Sequence, residues 1–539
     1  MRINLPHTKT LTSDWIKYFP YKNVRPEQET AINFILDSFS ENNKYVVGEF
    51  PIGIGKSAIA ITVSNYYKNK IRNGNKSSYI VTTQKILQEQ YIRDFPNVAN
   101  ITAKQNYQCI HRAPGITCDM GLTLAKVLSK NNSYSQYITG CAYKMAKSLF
   151  DESDVSLTNM SFFLYHSDSD LKKRNLLVID ECHNTENVIT DFAALTITEY
   201  FTTETLKLKW PNVSNMSMVD LVSWVINIYI PKLSTEIFKL ESSISNRKSQ
   251  SYLESKTGLG MISKIEDYKR KLEQIGDSIK NFNADEWVMS ISTTGDSVNI
   301  KPIFANKYTN KLLFKMADKI LLMSGTILNK ETFCNNIGIN PEVTAFLSLE
   351  SPFPLKNRPI YEMPIGSMGR KNIDSTLPSM VSAIKIILDE HKLDKGLIHC
   401  HTYQIAKYIN DNIEDSRLLF HDSVDRIDIL NFHLFSKEPT VIVSPSFTEG
   451  IDLIGDKSRF QIIVKVPFPY LGDNYVKTKM EKVPMWYNWQ TIKTIIQASG
   501  RSVRDYDDYC STYVLDSDWL FVKSRNSNMI PKWFINAIQ

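Results

Sequence analysis

The sequence lacks long hydrophobic runs, and it has few cysteines for its length. No apolar run approaches the roughly 20 residues that a membrane-spanning helix needs, and the apolar run near Met1 is too short for a signal peptide. Seven cysteines in 539 residues, an odd number, do not indicate a disulfide framework. We therefore expect a protein of a reducing compartment, without a membrane partner and cytoplasmic.

A strong charge of one sign is also missing. The 63 basic and 57 acidic residues give a formal charge of +6, which permits a nucleic-acid partner without requiring one. The 42% hydrophobic and 22% charged fractions are typical of a globular protein. The length predicts three or four domains of about 150 residues each. Frequent Asn, Lys, Ile and Ser indicate an AT-rich genome, so the source could be viral.

A glycine-rich stretch, residues 49–57 (Glu-Phe-Pro-Ile-Gly-Ile-Gly-Lys-Ser), lies between an apolar pair and a helical pattern; we call it the glycine loop. Gly53 and Gly55 lack a Cβ, so their N–H groups can surround phosphate oxygens. Lys56 can reach terminal phosphates and the Ser57 hydroxyl can bind Mg²⁺. The strict phosphate-loop pattern has glycine where this chain has Phe50, so an ordinary glycine-rich turn is the alternative.

A second motif ends a buried strand at residues 175–183 (Asn-Leu-Leu-Val-Ile-Asp-Glu-Cys-His). Ligands of parallel α/β sheets bind at the carboxyl ends of the strands. Asp180 can therefore hold Mg²⁺, and Glu181 can polarise an attacking water. Two carboxylates at the end of a buried strand favour a catalytic role together with Lys56.

Two further sets of residues are candidates for binding a nucleotide at a phosphate site. Arg25 and Gln28 begin a helix upstream of the glycine loop, and a glutamine amide can read an adenine edge. Arg501 and Arg504 project from one helical face near Gln497. Arginines supplied by a second domain stabilise the charge of phosphoryl transfer. Exposed residues without such roles are the alternative in both cases.

Alternating strand and helix patterns predict an α/β fold with two parallel sheets. The first includes segments near residues 78–84, 175–180 and 319–326, and the second starts near residue 335. Residues 195–285 have helical periodicity and predict a helical insertion.

These motifs, in this order, resemble the superfamily 2 helicases of the DinG/XPD type. The resemblance covers essentially the whole chain and rests on the following segments: Arg25-Pro-Glu-Gln28, the glycine loop, Asp180-Glu-Cys-His183, Ser324-Gly-Thr326, Ser351-Pro-Phe353, Glu449-Gly-Ile-Asp452 and Gln497-Ala-Ser-Gly-Arg501-Ser-Val-Arg504. It implies two RecA-like motor domains, with an iron–sulfur-type insertion and a helical arch insertion in the first. The expected ranges are 1–104, 146–194 and 286–334 for the first motor domain, 105–145 and 195–285 for the insertions, and 335–539 for the second motor domain.

The resemblance also assigns roles. ATP and Mg²⁺ are expected between the two domains, with Asp452 coupling them. Thr82, Thr83, Gln84 and Tyr403 lie where the family contacts single-stranded DNA.

Three cysteines resemble ligands of the family's [4Fe–4S] cluster: Cys109, Cys118 and Cys141. A fourth cysteine is missing, and such a cluster needs four ligands. The options are a cluster with His111 or Asp119 as a ligand, a three-iron cluster, or a relic domain with ordinary thiols.

The resemblance implies an ATP-dependent helicase that moves 5′ to 3′ on single-stranded DNA and unwinds forked duplexes or DNA–RNA hybrids as a monomer. One alternative is a translocase that remodels nucleoprotein or R-loops without processive unwinding. Another is an ATP-gated recruitment module with little motor activity.

Overall fold

A computed structural model describes most of the chain. The residues described are 14–70, 76–110, 115–128, 140–167, 170–246, 255–422, 424–447, 453–500, 502–503 and 506–539. No helix among them combines the length and the apolar character needed to cross a membrane.

The first sheet is formed by parallel strands from the N-terminal two thirds of the chain. In spatial order its described strands are Thr344–Ser348, Tyr45–Glu49, Ala317–Ser324, Arg174–Asp180, Ser78–Thr82, Val155–Asn159 and Ala99–Asn100. Glu49 pairs with Ser324 and Thr82 pairs with Asp180, so the strands carrying the motifs end at one edge. The first sheet therefore extends past residue 335, the expected start of the second motor domain, because Thr344–Ser348 pairs with Tyr45–Glu49.

The second sheet is also parallel and comes from the C-terminal third. Its described strands, in spatial order, are Ile360–Gly366, Ser511–Asp516, Phe460–Ile463, Gly396–His399, Val441–Ser444 and Leu418–Phe420. All pairs among these described strands run parallel. The predicted α/β class with two parallel sheets is confirmed.

Helices cover both sheets, as buried parallel strands require. The α-helices of four residues or more in the described part of the chain are Pro26–Ser40, Lys56–Lys70, Lys85–Asp94, Cys118–Leu128, Ala142–Glu152, Met160–His166, Thr185–Ala193, Met218–Trp224, Ile230–Asn246, Lys256–Lys280, Lys330–Ile337, Ile373–Glu390, Tyr403–Asn412, Arg426–Phe435, Asn474–Lys482, Pro484–Ser499, Asp518–Arg525 and Lys532–Ile535. Pro26 occupies the first turn of its helix, where its missing N–H costs no hydrogen bond. The helix that follows the glycine loop is buried from Ala58 to Ser64 because it packs within the core of the first sheet.

The region expected to be a helical insertion is partly β. Strand Leu195–Thr198 pairs antiparallel with Ser297–Pro302, which pairs with Trp287–Ile291. The helical periodicity of residues 195–285 is therefore right for the helices from Met218 to Lys280 but wrong for its first residues. Leu195 and Ile197 are buried and alternate with Thr196 and Thr198, a period-2 pattern typical of a half-buried strand. We call Lys256–Lys280 the long helix.

Candidate functional site

A cleft of about 810 Å³ lies between the two sheets. Its walls include residues of the glycine loop and the Asp180–His183 box on one side and Ile496 and Gln497 on the other. The cleft thus collects motif residues that lie far apart in the sequence. Among the site residues predicted from sequence, it brings together Arg25, Gln28, Gly53, Gly55, Lys56, Ser57, Gln84, Asp180, Glu181 and Gln497.

The glycine loop has the backbone that a phosphate cradle needs. Gly53 and Gly55 have φ values of +87° and +89°, a region that favours glycine. A Cβ on Gly53 would approach the Phe353 ring to 2.0 Å, and one on Gly55 would approach the Gln28 amide nitrogen to 2.5 Å. Both positions therefore need glycine for space as well as for conformation.

Phe50 replaces a glycine of the strict pattern without entering the cradle. Its side chain is fully buried in the core beneath the first sheet. A Cβ on Gly48 would lie 2.3 Å from the Phe50 ring, so the ring occupies space that the neighbouring glycine leaves open. The Phe50 N–H donates to the Ser324 carbonyl oxygen at 2.7 Å. The departure from the pattern is thus accommodated by packing below the loop.

The charged residues of the site are already paired with one another. Lys56 Nζ lies 3.0 Å from Glu181 Oε1, and the Tyr91 hydroxyl donates to Asp180 Oδ2 at 2.9 Å. Glu181 has a φ of +51°, a strained conformation of the kind that clusters at functional sites. The cleft therefore holds a Lys56–Glu181 ion pair next to an Asp180 carboxyl group that Tyr91 orients.

Burial and charge shift the pKa values of the Asp180 and Glu181 carboxyl groups in opposite directions. Burial and the adjacent Glu181 carboxylate raise the pKa of Asp180 to about 6. Burial would also favour the neutral form of Glu181, but Lys56 and His183 outweigh it and hold the pKa of Glu181 well below its usual value. Glu181 is consequently the first of the pair to ionise as the pH rises, and Asp180 loses its proton only near pH 6.

A hydrogen-bonded chain crosses from the first sheet to the second. His183 Nδ1 lies 2.6 Å from Ser324 Oγ and 3.1 Å from Glu181 Oε2. His183 Nε2 lies 2.6 Å from the amide nitrogen of Gln497, which also donates to Thr326 Oγ1 at 3.1 Å. Because an amide nitrogen donates, His183 Nε2 accepts and the ring proton resides on Nδ1. The chain links Glu181 to the helix Pro484–Ser499 of the second sheet.

His183, Ser324 and Thr326 are site residues that the sequence did not single out for this role. All three are buried. Their motifs were noted for the family resemblance, but contact between residues 183, 326 and 497 is non-local. The signal that could have found them is that two motifs, Asp180–His183 and Ser324–Thr326, contain an imidazole or hydroxyl side chain to which no role had been assigned.

Arg25 and Gln28 lie against the glycine loop. Arg25 Nη1 donates to the Gly53 carbonyl oxygen at 2.6 Å, and the Gln28 amide donates to the Ile54 carbonyl oxygen at 2.8 Å. Gln28 Oε1 accepts from the Arg25 N–H at 2.9 Å. Both polar atoms of Gln28 thus support the loop, and its contact with adenine stays a prediction.

Three predicted residues of the second motor domain, Arg501, Arg504 and Asp452, lie outside the described residues. Their roles in stabilising phosphoryl charge and coupling the domains stay predictions. Gln497 is the member of that group that the structure describes, and it is buried at the cleft.

The predicted DNA-contacting residues fall into different environments. Thr82 is fully buried and its hydroxyl donates to the Gln84 carbonyl oxygen at 3.0 Å, so its side chain is not available to DNA. This prediction was wrong for the side chain because the strand is covered on both faces. Thr83 donates to the Glu181 carbonyl oxygen at 3.1 Å, and Gln84 lines the cleft. Tyr403 is 39% exposed.

The three cysteines come together without forming a four-ligand site. Cys118 and Cys141 are buried, with their sulfur atoms 3.9 Å apart. Burial and the neighbouring Cys141 and Cys109 thiols raise the pKa of Cys118 to about 11. Sulfurs this close cannot bind separate irons of a cubane without moving apart.

The candidate fourth ligands do not complete the set. Asp119 contacts Thr117 Oγ1 and lies 3.5 Å from Arg270 Nη1, so both its oxygens are engaged. His111 lies outside the described residues. Within the part of the chain that the structure describes, no group of three or more His, Cys, Asp or Glu side chains could hold a metal ion. The residues described here do not fit the expected cluster.

Comparison with known proteins agrees with this fold and cleft. The family "Type III restriction enzyme, res subunit" matches residues 21–208, and the family "Helicase C-terminal domain" matches residues 390–537. The ATP-dependent DNA helicase XPD of Sulfolobus acidocaldarius is 22% identical over 560 residues, which cover 92% of this chain and 96% of that protein. A solved structure named XPD_Helicase has a TM-score of 0.62 at 18% identity and covers 94% of this chain and 98% of that chain.

Other relatives are matched over part of their length. A regulator of telomere elongation helicase 1 homolog of Caenorhabditis briggsae is 24% identical over 272 residues, which are 41% of this chain. The match spans only 26% of that relative, so its remaining regions have no counterpart in the alignment.

The fold is that of two RecA-like domains, with a cleft between their parallel sheets that collects the predicted site residues. The chain is similar to the superfamily 2 helicases of the DinG/XPD type, and the resemblance predicted from its motifs is confirmed.

Proposed function

We propose that the protein is an ATP-dependent DNA helicase. The observation that carries this proposal is the chain of contacts from Lys56 through Glu181 and His183 to Gln497, which joins a phosphate site on one sheet to the other sheet. Such a chain gives nucleotide chemistry a direct route to relative movement of the two domains.

The residues on the first sheet suit phosphoryl transfer to water. Backbone N–H groups near Gly53 and Gly55 and the N-terminus of the helix starting at Lys56 attract the phosphates. Lys56 would exchange its Glu181 partner for the terminal phosphates, which frees Glu181 to orient water. Ser57 and Asp180 are oxygen donors of the kind that bind Mg²⁺, which would neutralise phosphate charge when bound.

Hydrolysis of ATP would change the environment of the hydrogen bond between His183 and Gln497. Freed from Lys56, Glu181 would contact water while His183 keeps its proton on Nδ1 and its bond from Gln497. Loss of the terminal phosphate returns Lys56 to Glu181 and changes the charge beside His183. Each cycle therefore alters the contact that joins the helix Pro484–Ser499 to the first sheet.

A second concavity, of about 650 Å³, supports a nucleic-acid path. It lies between the small antiparallel sheet and the second sheet, beside the helix that carries Gln497. Lys301 and Lys465 line it, together with Tyr470, which is 68% exposed. Lysines suit the phosphate backbone and an exposed ring suits base stacking, so we propose salt-sensitive binding of single-stranded DNA here. Thr402, in the same wall, adjoins Tyr403.

The finer assignments rest on the relatives. The relatives named XPD and DinG are called ATP-dependent DNA helicases. By analogy we propose 5′ to 3′ movement, forked duplexes or DNA–RNA hybrids as substrates, and action as a monomer. A translocase without processive unwinding is the second candidate, because the two motor sheets and their cleft would serve it equally well.

Unwinding of forked duplexes separates these candidates. We expect wild type with ATP to release the labelled strand from a fork with a 5′ tail, and not from a duplex with only a 3′ tail. ATP hydrolysis with single-stranded DNA but no strand release would favour the translocase, and preference for the 3′ tail would contradict the polarity. Glu204→Gln, an exposed carboxylate change, is a matched control for active-site variants.

A further inference from the structure

The three family-like cysteines lie in a segment that packs against the long helix. We call residues 105–145 the cysteine segment, of which 105–110, 115–128 and 140–145 are described. Its chain closes through backbone hydrogen bonds: the Cys109 N–H donates to the Ile116 carbonyl oxygen and the Cys118 N–H to the Tyr107 carbonyl oxygen, both at 2.8 Å. These two hydrogen bonds hold the backbone at Cys109 and Cys118 side by side.

An apolar cluster lies where the cysteine segment meets the helices Ile230–Asn246 and Lys256–Lys280. Ile116 and Leu124 of the segment pack with Ile244, Ile262 and Ile265, and all five are essentially inaccessible to solvent. Cys109 is among the partly buried residues around this cluster, and its sulfur occupies the space beside Gly121. The thiol therefore acts as a small apolar side chain at the edge of a core.

Polar contacts surround the cluster. Arg270 of the long helix lies 3.0 Å from Gln105 Oε1 and 3.5 Å from Asp119 Oδ2, and Thr123 contacts Glu266. These contacts orient the segment on the helix. They also engage Asp119, which was a candidate ligand of the iron–sulfur cluster.

The long helix is itself attached to the first sheet region. Ser278 Oγ donates to the Ala194 carbonyl oxygen at 3.0 Å, and Tyr165 contacts Glu273. The cysteine segment, the long helix and the first motor domain consequently form one connected body.

We infer that the cysteine segment of this protein is a metal-free element, held in shape by the long helix instead of by an iron–sulfur cluster. Three thiols, two of them in contact and one against a glycine, do not supply the ligand set. The apolar cluster instead connects Ile116 and Leu124 of the segment to the helices Ile230–Asn246 and Lys256–Lys280. The inference concerns folding, so it can fail while the proposed motor activity stands.

Metal analysis of the full-length protein, purified without oxygen, is the first test. We expect no stoichiometric iron or zinc and no visible charge-transfer absorption. Three or four irons per chain, or one zinc, would overturn the inference whatever the helicase assays show.

Hydrogen exchange of peptides covering residues 115–124 is the second test. For Cys109→Ala/Cys141→Ala we expect exchange within about twofold of wild type, because the segment retains its apolar contacts. For Ile262→Ala/Ile265→Ala we expect exchange at least about tenfold faster, because two buried side chains are truncated. Lys264→Ala, exposed on the same helix, should match wild type.

A milder variant keeps the test decisive if the double isoleucine change unfolds more than the segment. Arg270→Ala removes the contacts to Gln105 and Asp119 and should raise exchange of the same peptides about twofold. Cysteine variants that expose the segment as much as the isoleucine variants would overturn the inference.

Discussion

The glycine loop of the cleft departs from the strict phosphate-loop pattern at Phe50, the cysteine segment lacks one ligand of the family's cluster, and the structure compensates for the two departures differently. In the cleft, Phe50 replaces a glycine but turns its ring into the core, so the loop and its chemistry are retained. In the cysteine segment, a ligand is missing and packing against the long helix takes over. Local packing can compensate for a replaced glycine, whereas the loss of a ligand removes the metal site.

Removal of divalent metal should give the largest difference between these two regions. A strong chelator should abolish ATP hydrolysis, and Mg²⁺ should restore it, because Ser57 and Asp180 need the cation to bind nucleotide productively. Exchange of the peptides covering residues 115–124 should stay unchanged. Steady-state hydrolysis and hydrogen exchange on the same chelated sample provide the measurement. Loss of protection from exchange in the cysteine segment would show that this segment also depends on a metal ion.

Restoring glycine at position 50 should damage the protein. Phe50→Gly removes a fully buried ring, so we expect a loss of about 3–5 kcal/mol in the free energy of unfolding. Denaturant unfolding measures it. Phe238→Ala, at a ring that is 69% exposed, should change stability by less than about 1 kcal/mol. Unchanged stability of Phe50→Gly would show that the ring does not support the loop.

A buried ion pair ties the two motor domains together beside the cleft. Lys479 Nζ lies 2.5 Å from Glu186 Oε1, and the Lys479 side chain is fully buried. Lys479→Met should cost about 3–5 kcal/mol because it leaves the Glu186 charge unpaired. Lys482→Met, exposed on the same helix, is the control.

The double change Glu186→Gln/Lys479→Met tests the reason for that loss. It should recover part of the stability, because no buried charge is then left without a partner. A double variant as unstable as the sum of both single variants would argue against this explanation.

Gln497→Ala should weaken coupling across the cleft without destroying either domain. Loss of the contacts to His183 and Thr326 should reduce hydrolysis in the presence of single-stranded DNA by about tenfold, the effect of one or two lost buried hydrogen bonds. Hydrolysis without DNA should change less. A double-mutant cycle with Thr326→Val checks whether the two side chains act together. Additive effects would contradict the coupling.

The smallest effect should appear in the pH dependence. The pKa of Asp180 is raised to about 6, so hydrolysis at low Mg²⁺ should fall as pH falls through about 6 and Asp180 gains a proton. Saturating Mg²⁺ favours the ionised form and should move the midpoint to lower pH. Because this pKa lies above the usual value of an aspartate, Asp180 contributes stability at low pH that is lost as pH rises through about 6. A midpoint independent of Mg²⁺ would contradict this role.

Local patterns predicted the glycine loop, the Asp180–Glu181 pair and the two parallel sheets. Each depends on short apolar runs followed by particular polar residues, which are visible in a single sequence. The strand Thr344–Ser348 was assigned to the wrong domain because its partner, Tyr45–Glu49, lies some three hundred residues earlier. The Glu186–Lys479 pair, separated by 293 residues, had no local signal either.

Burial explains the remaining differences. Thr82 is the last residue of a strand that is covered on both faces, and sequence alone does not tell which end-of-strand hydroxyl remains exposed. In the cysteine segment, the count of thiols was visible in the sequence, but the cluster of Ile116 and Leu124 with the long helix was not. Its members come from three separate segments.

ATP hydrolysis with and without single-stranded DNA tests the central claim most directly. Wild type should hydrolyse ATP faster when single-stranded DNA is added. Glu181→Gln should bind nucleotide but lose about 10²–10⁴-fold in turnover, as expected for loss of a general base. Glu204→Gln should behave as wild type. Wild-type protein that hydrolyses no ATP with single-stranded DNA present, or a Glu181→Gln variant as active as wild type, would contradict a motor driven from this cleft.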